Sequence, residues 1–151
     1  MIWSPHVTVA TVVCRDNKFL LVHEVTDVGT VYNQPAGHLD PHETLIEAAI
    51  RETREETGWQ VAVDSILGIS LYDAPNGLTY LRTTFAATAL EEIPGAVLDK
   101  EILAAVWLTY DEILERRSQL RSPLVLSDIE RFRTGISYPL ELLANFNIHK
   151  S

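Results

Sequence analysis

Residues 37–59 read GHLDPHETLIEAAIRETREETGW, and this stretch decides how the chain folds. Its pattern predicts a loop followed by a helix of about four turns. We expect Asp40 to be the N-cap, Pro41 to occupy the first helical position, and Glu43 to complete a capping box. Gly58 is expected to end the helix, because glycine adopts the left-handed C-terminal conformation without strain.

The predicted helix separates into three faces on a period of about 3.6 residues per turn. The face expected to be buried carries β-branched side chains, which are Ile46, Ile50, Thr53 and Thr57. The face expected to meet water carries charged side chains, which are Glu47, Arg51 and Arg54. The third face is acidic.

This acidic face is unusual for a purely structural helix. Glu52, Glu55 and Glu56 stand at positions i, i+3 and i+4, where like charges destabilise a helix by roughly 0.2–0.5 kcal/mol per pair. Clustered carboxylates are the ligands that Mg²⁺ and Mn²⁺ prefer, and a divalent ion would cancel the repulsion. The alternative is a solvated face on which Arg51 pairs with Glu47 and Glu55 at i, i+4 spacing.

The spacing of these residues resembles the Nudix box. The pattern that carries the resemblance is Gly37, five residues, Glu43, seven residues, Arg51, Glu52, two residues, Glu55, Glu56, one residue and Gly58. Thr53 departs from the family pattern, because a bulky aliphatic residue is usual at that position. We expect this difference to affect packing and not metal binding.

The resemblance implies an α/β fold, the Nudix α/β/α sandwich with a mixed central β-sheet. It also implies Mg²⁺, or Mn²⁺, held by the Gly37 carbonyl and by carboxylates, which are those of Glu52, Glu55, Glu56 and Glu101. Asp99 is the alternative to Glu101 as the carboxylate that precedes the strand containing Val106, Trp107 and Leu108.

The resemblance further implies roles in hydrolysis of a phosphoanhydride bond. Glu52 is expected to act as the general base and Arg51 to orient it, while Glu43 is expected to steady the helix start and the metal site. Three further side chains are candidates for substrate binding, namely Tyr32, Arg82 and Tyr80. Arg82 could equally be a solvent-facing or salt-bridged arginine, and the tyrosines could equally be half-buried packing residues.

Elements outside the box are predicted from alternation and turn residues. Strands are expected at 7–14 and 18–24 as a hairpin, at 61–72 and 78–90 around a turn at 74–77, and at 104–108. Residues 26–30 are expected to form a loop. A capping box at Thr109 and Glu112 predicts a helix to residue 115, and Ser122 with Pro123 predicts another that ends near Gly135.

Composition and charge limit the class of protein. The 151 residues are 46% hydrophobic and 22% charged, which suits a single domain spanning residues 1–151. A formal charge of −9 argues against a nucleic-acid polymer as the main partner. A single cysteine, no signal-peptide pattern and no apolar run of about 20 residues predict a cytoplasmic protein without a membrane span. Monomer and homodimer both remain open.

Substrate choice depends on pieces outside the box. YNQPAGHLDPHETLIEAA (32–49), LRSPLV (120–125) and YPLE (138–141) resemble a group of bacterial phosphatases within the family. That resemblance implies activity on nucleoside tri- and diphosphates and on thiamine-pathway pyrophosphates such as hydroxymethylpyrimidine pyrophosphate. The alternatives are an ADP-ribose type of pyrophosphatase, for which Pro75 is the only sign, and a non-hydrolytic ligand sensor. Retention of all four box glutamates argues against the sensor.

Overall fold

The computed structural model describes residues 1–150. The strands are β1 (His6–Arg15), β2 (Lys18–Thr26), β3 (Gly29–Asn33), β4 (Ala36–His38), β5 (Trp59–Asp73), β6 (Thr79–Glu92) and β7 (Ile102–Thr109). The helices are α1 (Leu45–Thr57), α2 (Tyr110–Glu115) and α3 (Leu124–Arg133). Short 3₁₀ turns lie at Arg117–Gln119 and Leu140–Leu142. No helix within these 150 residues is long and apolar enough to cross a membrane.

The strands form one mixed sheet in the order β3-β2-β1-β6-β5, with β4 paired to β1 and β7 paired to β2. β1 and β6 run parallel, whereas the other pairings are antiparallel. The predicted hairpin of β1 and β2 is confirmed: Asp16 and Asn17, with φ of 51° and 65°, form its tight turn. Both residue types tolerate the left-handed conformation that this turn requires.

Helices α1 and α3 cover opposite faces of the sheet, because successive strand residues point to opposite sides. On one side Val9 of β1 packs in a cluster with Ala48 and Ala49 of α1. On the other side Val12 of β1 packs with Val125 and Ile129 of α3. The expected α/β/α sandwich with a mixed sheet is therefore confirmed.

The start of α1 differs from the prediction. The N-cap is Thr44, whose side chain accepts from the Glu47 N–H in a capping box, so the placement of the cap at Asp40 is wrong by four residues. His42 has a φ of 66°, a left-handed conformation that a helix starting at Pro41 could not contain. Glu43 nevertheless accepts a hydrogen bond from the Asp40 N–H at 2.7 Å, inside this turn. The C-terminal prediction is confirmed, since Gly58 has a φ of 76° and donates to the Arg54 carbonyl.

Burial on α1 follows the predicted core face only in part. Thr53 and Thr57 are buried, as expected, but Ala48 and Ala49 are buried with them, while Ile46 and Ile50 stay partly exposed. Small side chains lie at the centre because they let the helix approach the sheet closely.

One predicted loop differs from expectation, and one predicted helix start is confirmed. Residues 26–30 are not an open loop, since Thr26 pairs with Gly29 in a hairpin between β2 and β3. The capping box of Thr109 and Glu112 that starts α2 is confirmed.

Candidate active site

Three carboxylates converge at one end of α1. Glu52, Glu56 and Asp99 each offer an oxygen, and these three oxygens all lie within 4.8 Å of one another. We call these residues the acidic trio. Glu52 and Glu56 lie one helical turn apart on α1, and the loop before β7 brings Asp99 to them, because the Asp99 N–H donates to the Glu55 carbonyl at 3.1 Å.

The structure does not bring the other two predicted carboxylates into the trio. Glu55 is a neighbour whose side chain is 38% exposed and pairs with Arg51 at 3.2 Å. Glu101 lies two residues beyond Asp99, and its carbonyl accepts from the Val25 N–H of β2 at 2.9 Å. The structure therefore brings Asp99, the alternative to Glu101, to the trio, because the loop is hydrogen-bonded to α1 at Asp99 and to β2 at Glu101. The role of Glu101 at the metal stays a prediction.

Burial and mutual repulsion make the trio resist ionisation. The pKa of Glu56 is raised to about 8. Burial is the largest cause and the charges of Glu24, Glu52 and Asp99 add to it, whereas the hydrogen bond that Glu56 accepts from the Ala36 N–H opposes it. Burial also raises the pKa of Glu52, opposed by its hydrogen bond from Arg51. Burial raises the pKa of Asp99 as well. Such a cluster of hard oxygen donors fits a divalent cation, which would relieve the repulsion.

Arg51 forms hydrogen bonds to several groups of the site, so it does not face water as we predicted from the helix faces. Its side chain is 19% exposed. It forms a bidentate pair with Glu43 at 3.0 and 2.6 Å, and it donates to Glu52 at 2.9 Å and to the His38 carbonyl at 3.0 Å. The hydrogen bonds that Glu43 accepts from Arg51 lower the pKa of Glu43. Arg51 therefore connects the turn before α1, the trio and β4.

Gly37 lies directly under the carboxylate of Glu52. It sits in β4, opposite Val9 of β1. A Cβ built on Gly37 would overlap the carboxylate carbon and both carboxylate oxygens of Glu52. A residue without a Cβ lets another group approach the backbone closely, and the structure identifies Glu52 as the group that needs this space.

Two adjoining cavities border these residues. The large cavity, of about 450 Å³, is lined by residues from four parts of the chain that include Gly37, His38, Tyr72, Pro75, Tyr80, Arg82, Arg121 and Ser122. The acidic cavity, of about 370 Å³, is lined by residues that include Glu24, Glu56, Asp99, Glu101 and Arg121. Thr26, Asp27 and Arg121 line both, so the two cavities meet at these residues.

The predicted substrate-binding residues divide between the cavity and the core. Tyr80 lines the large cavity and accepts from Asn76 at 3.0 Å. Tyr32 lines neither cavity, because its ring stacks on His23 with centroids 4.4 Å apart. The structure therefore does not bring Tyr32 to either cavity, and its role in substrate binding stays a prediction.

The sequence left open whether Arg82 binds substrate or is a salt-bridged arginine, and its position is compatible with both. It is buried and pairs with Asp128 of α3 at 3.3 Å, yet it also lines the large cavity. Thr84 and Gln34 donate to the same Asp128 oxygen at 2.8 and 2.9 Å, so this acid has a fixed position.

Sequence reasoning missed Asp128, Glu24 and Arg121. Asp128 did carry a signal, because it stands at i+3 from Val125 on the apolar face of α3, where an acid needs a partner. Glu24 and Arg121 are 97 residues apart and pair at 2.6 Å, a contact that no local pattern indicates.

Comparison with known proteins agrees with the geometry. The NUDIX domain model matches residues 4–127. Phosphatase NudJ of Escherichia coli is 41% identical over 145 residues, which cover 96% of this chain and 94% of that protein. A NUDIX hydrolase from Nitrosomonas europaea superposes with a TM-score of 0.93 at 40% identity, over 95% of this chain and 99% of its own. An ADP-ribose pyrophosphatase from Streptococcus suis shares the fold alone, with a TM-score of 0.66 at 17% identity over 89% of this chain and 96% of its own.

Enzymes of this family act on small phosphate-containing molecules and generally use divalent metal ions, which suits the acidic trio. The domain match and the full-length similarity to a phosphatase favour a hydrolase over the ligand sensor. The chain belongs to the Nudix hydrolase family.

Proposed function

We propose that this enzyme hydrolyses phosphoanhydride bonds of nucleoside tri- and diphosphates in a reaction that requires Mg²⁺, with Mn²⁺ as a substitute. The observation that carries the proposal is the convergence of Glu52, Glu56 and Asp99 within 4.8 Å. Similarity to Phosphatase NudJ supports the release of orthophosphate as the product. Hydroxymethylpyrimidine pyrophosphate is proposed as a second substrate, because it presents the same bond on a smaller heterocycle.

The acidic trio would hold the divalent ion, with the Gly37 carbonyl and Glu55 as further oxygen donors at its edge. Oxygen donors alone, without sulfur or imidazole among the trio, favour Mg²⁺ or Mn²⁺ over zinc. When bound, such an ion neutralises charge on phosphate oxygens and acidifies water.

Glu52 is proposed as the general base. One of its oxygens accepts from Arg51 at 2.9 Å. Each carboxylate oxygen has two lone pairs, so Glu52 can border the ion and still accept a proton from water. Burial raises the pKa of Glu52, and a more basic carboxylate takes that proton more readily.

Arg51 and Glu43 are proposed to hold Glu52 in position. The bidentate pair of Glu43 with Arg51 fixes the plane of the guanidinium, and that plane directs one N–H at Glu52. Neither Arg51 nor Glu43 needs to contact the substrate for this role.

The large cavity is proposed to hold the organic part of the substrate. Tyr72 and Tyr80 offer ring faces suited to a heterocycle, and Arg82 offers N–H groups suited to a phosphate. A sugar nucleotide of the ADP-ribose kind is the second candidate, because Pro75 lines this cavity.

We further propose that residues 1–151 act as one domain, as a monomer or homodimer in the cytoplasm. The negative charge of −9 supports small-molecule substrates over a nucleic-acid polymer.

The test is product analysis with EDTA-treated protein and added Mg²⁺. Nucleoside tri- and diphosphates, hydroxymethylpyrimidine pyrophosphate and ADP-ribose are incubated separately, and orthophosphate is measured directly. We expect orthophosphate from the nucleotides and from the pyrimidine compound, and a fall of about 10²–10⁴-fold in Glu52→Gln protein. The matched control Glu115→Gln changes an exposed acid away from the site and should be fully active. Two monophosphates from ADP-ribose, without orthophosphate from the other compounds, would instead establish the second candidate.

A further inference from the structure

Arg121 occupies the junction between the two cavities. It lines both the large cavity and the acidic cavity. Its backbone is anchored, because its N–H donates to the Tyr32 carbonyl of β3 at 2.9 Å. A substrate with its heterocycle in the large cavity and its reacting phosphate at the acidic trio must therefore extend past this residue.

The guanidinium of Arg121 retains unused donors. Its side chain is 52% exposed, and among residues 1–150 its only side-chain hydrogen bond is from Nη1 to Glu24 at 2.6 Å. Glu24 itself is 7% exposed in the side chain. A guanidinium has five N–H donors, so binding an anion does not require Arg121 to release Glu24.

A second guanidinium, that of Arg82, lines the same large cavity as Arg121. Burial lowers the pKa of Arg82, Asp128 raises it, and the positive charge of Arg121 lowers it further. Glu24 and Asp128 each neutralise one of the two arginines from the protein side. Both arginines line the large cavity and keep N–H groups that these contacts do not use, and two like charges at one cavity favour a multiply charged anion.

We propose that Arg121, together with Arg82, binds a phosphate group that links the organic part of the substrate to the phosphate under attack. The inference rests on the function proposed above, and it assigns to Arg121 a role in substrate specificity. Arg121 would thereby favour binding of nucleotides over unphosphorylated nucleosides, which lack this phosphate. It would also favour them over inorganic phosphate compounds, which cannot occupy both cavities.

The test measures binding, not turnover. Calorimetry with Mg²⁺ compares the α,β-methylene analogue of adenosine diphosphate, which cannot be hydrolysed at that bridge, with adenosine itself. In Arg121→Gln protein we expect the Kd of the analogue to rise at least tenfold, since hydrogen bonds between charged groups are the stronger class. The Kd of adenosine should stay within about twofold.

Two variants separate phosphate binding from folding. The double variant Glu24→Gln, Arg121→Gln removes the buried carboxylate that Arg121→Gln alone would leave unpaired, and it should show the same loss. Arg117→Gln removes the same charge from an exposed position that lines neither cavity, and it should bind like the wild type.

Three results would overturn the inference. They are an unchanged Kd for the analogue, an equal loss of affinity for adenosine and the analogue, and binding of the analogue by wild-type protein no tighter than binding of adenosine.

Hydrolysis by wild-type protein is a separate measurement. Orthophosphate release with an unaltered Kd in the Arg121 variants would refute this inference alone, whereas tight binding without hydrolysis would refute only the function proposed above.

Discussion

The carboxylate of Glu52 occupies the space that a side chain at Gly37 would require. Gly37 belongs to β4 and Glu52 to α1, so the absence of one Cβ lets a strand and a helix meet at the proposed general base. No left-handed φ is involved at Gly37, and space alone calls for glycine here.

Gly37→Ala should therefore inactivate the enzyme without unfolding it. The added methyl group pushes the Glu52 side chain away from the trio, and a misplacement of about 1 Å can lower kcat about 100-fold. Thermal unfolding and steady-state rates of orthophosphate release measure the two effects. The double variant Gly37→Ala, Glu52→Gln should be little slower than Glu52→Gln alone, because both changes remove the same function. Fully additive losses would show that Gly37 acts through another group.

Asp99 and Glu101 provide a matched pair. Asp99→Asn removes a negative charge from the trio and replaces one carboxylate oxygen by an amide nitrogen, so the Mg²⁺ concentration for half-maximal rate should rise at least about tenfold. Glu101→Gln changes an acid outside the trio and should shift this concentration much less. A Mg²⁺ titration of the rate of each variant makes the comparison. A larger shift for Glu101→Gln would restore the original sequence prediction.

The Glu56 carboxylate should make the metal-free protein less stable as the pH rises. Its folded pKa is raised to about 8 from a usual value of 4.5. Between these two values the folded state holds the proton and the unfolded state does not, so the free energy of unfolding falls as the pH increases.

Glu56→Gln removes this penalty while keeping an oxygen for the Ala36 N–H. In EDTA at pH 8 the variant should melt above the wild type by about 2 °C or more, and the difference should shrink towards pH 5. Added Mg²⁺ should stabilise the wild type and not the variant. A variant that is less stable at every pH would mean that Glu56 is structural.

Thr53 shows why the sequence can depart from the family pattern at this position. The Thr53 hydroxyl donates to the Ala49 carbonyl and contacts the Thr11 hydroxyl at 2.8 Å, and both threonines are buried. Thr53→Val should destabilise the protein by about 1–3 kcal/mol, because the Thr11 hydroxyl loses its partner. Urea unfolding should show that adding Thr11→Val recovers part of this loss. If the double variant loses more free energy of unfolding than the two single variants lose together, the result would contradict this pairing.

Local patterns predicted most of the fold. The β-branched residues of β1, the Asp16 and Asn17 turn and the Gly58 helix end reflect the conformational preferences of a few adjacent residues. The start of α1 was placed too early, because DPHE and TLIE both satisfy capping rules. A left-handed residue at His42 selects the second, and sequence preference does not indicate it.

Contacts between distant segments set the limits of prediction at the site. Box spacing located Glu52 and Glu56, which lie on one helix. Asp99 could not be chosen over Glu101, because the choice depends on which residue of a loop hydrogen bonds to α1. Arg51 was assigned to water from helical periodicity, yet the turn at residues 40–43 folds over it and brings Glu43 to its guanidinium.

The acidic trio is proposed to hold the divalent ion. The most direct measurement is an anomalous-scattering map from crystals grown with Mn²⁺. We predict a strong peak between the carboxylates of Glu52, Glu56 and Asp99, with Glu55 at its edge, and loss of this peak in Glu56→Gln crystals. A peak coordinated elsewhere, or full Mn²⁺ occupancy in the Glu56→Gln protein, would contradict the account.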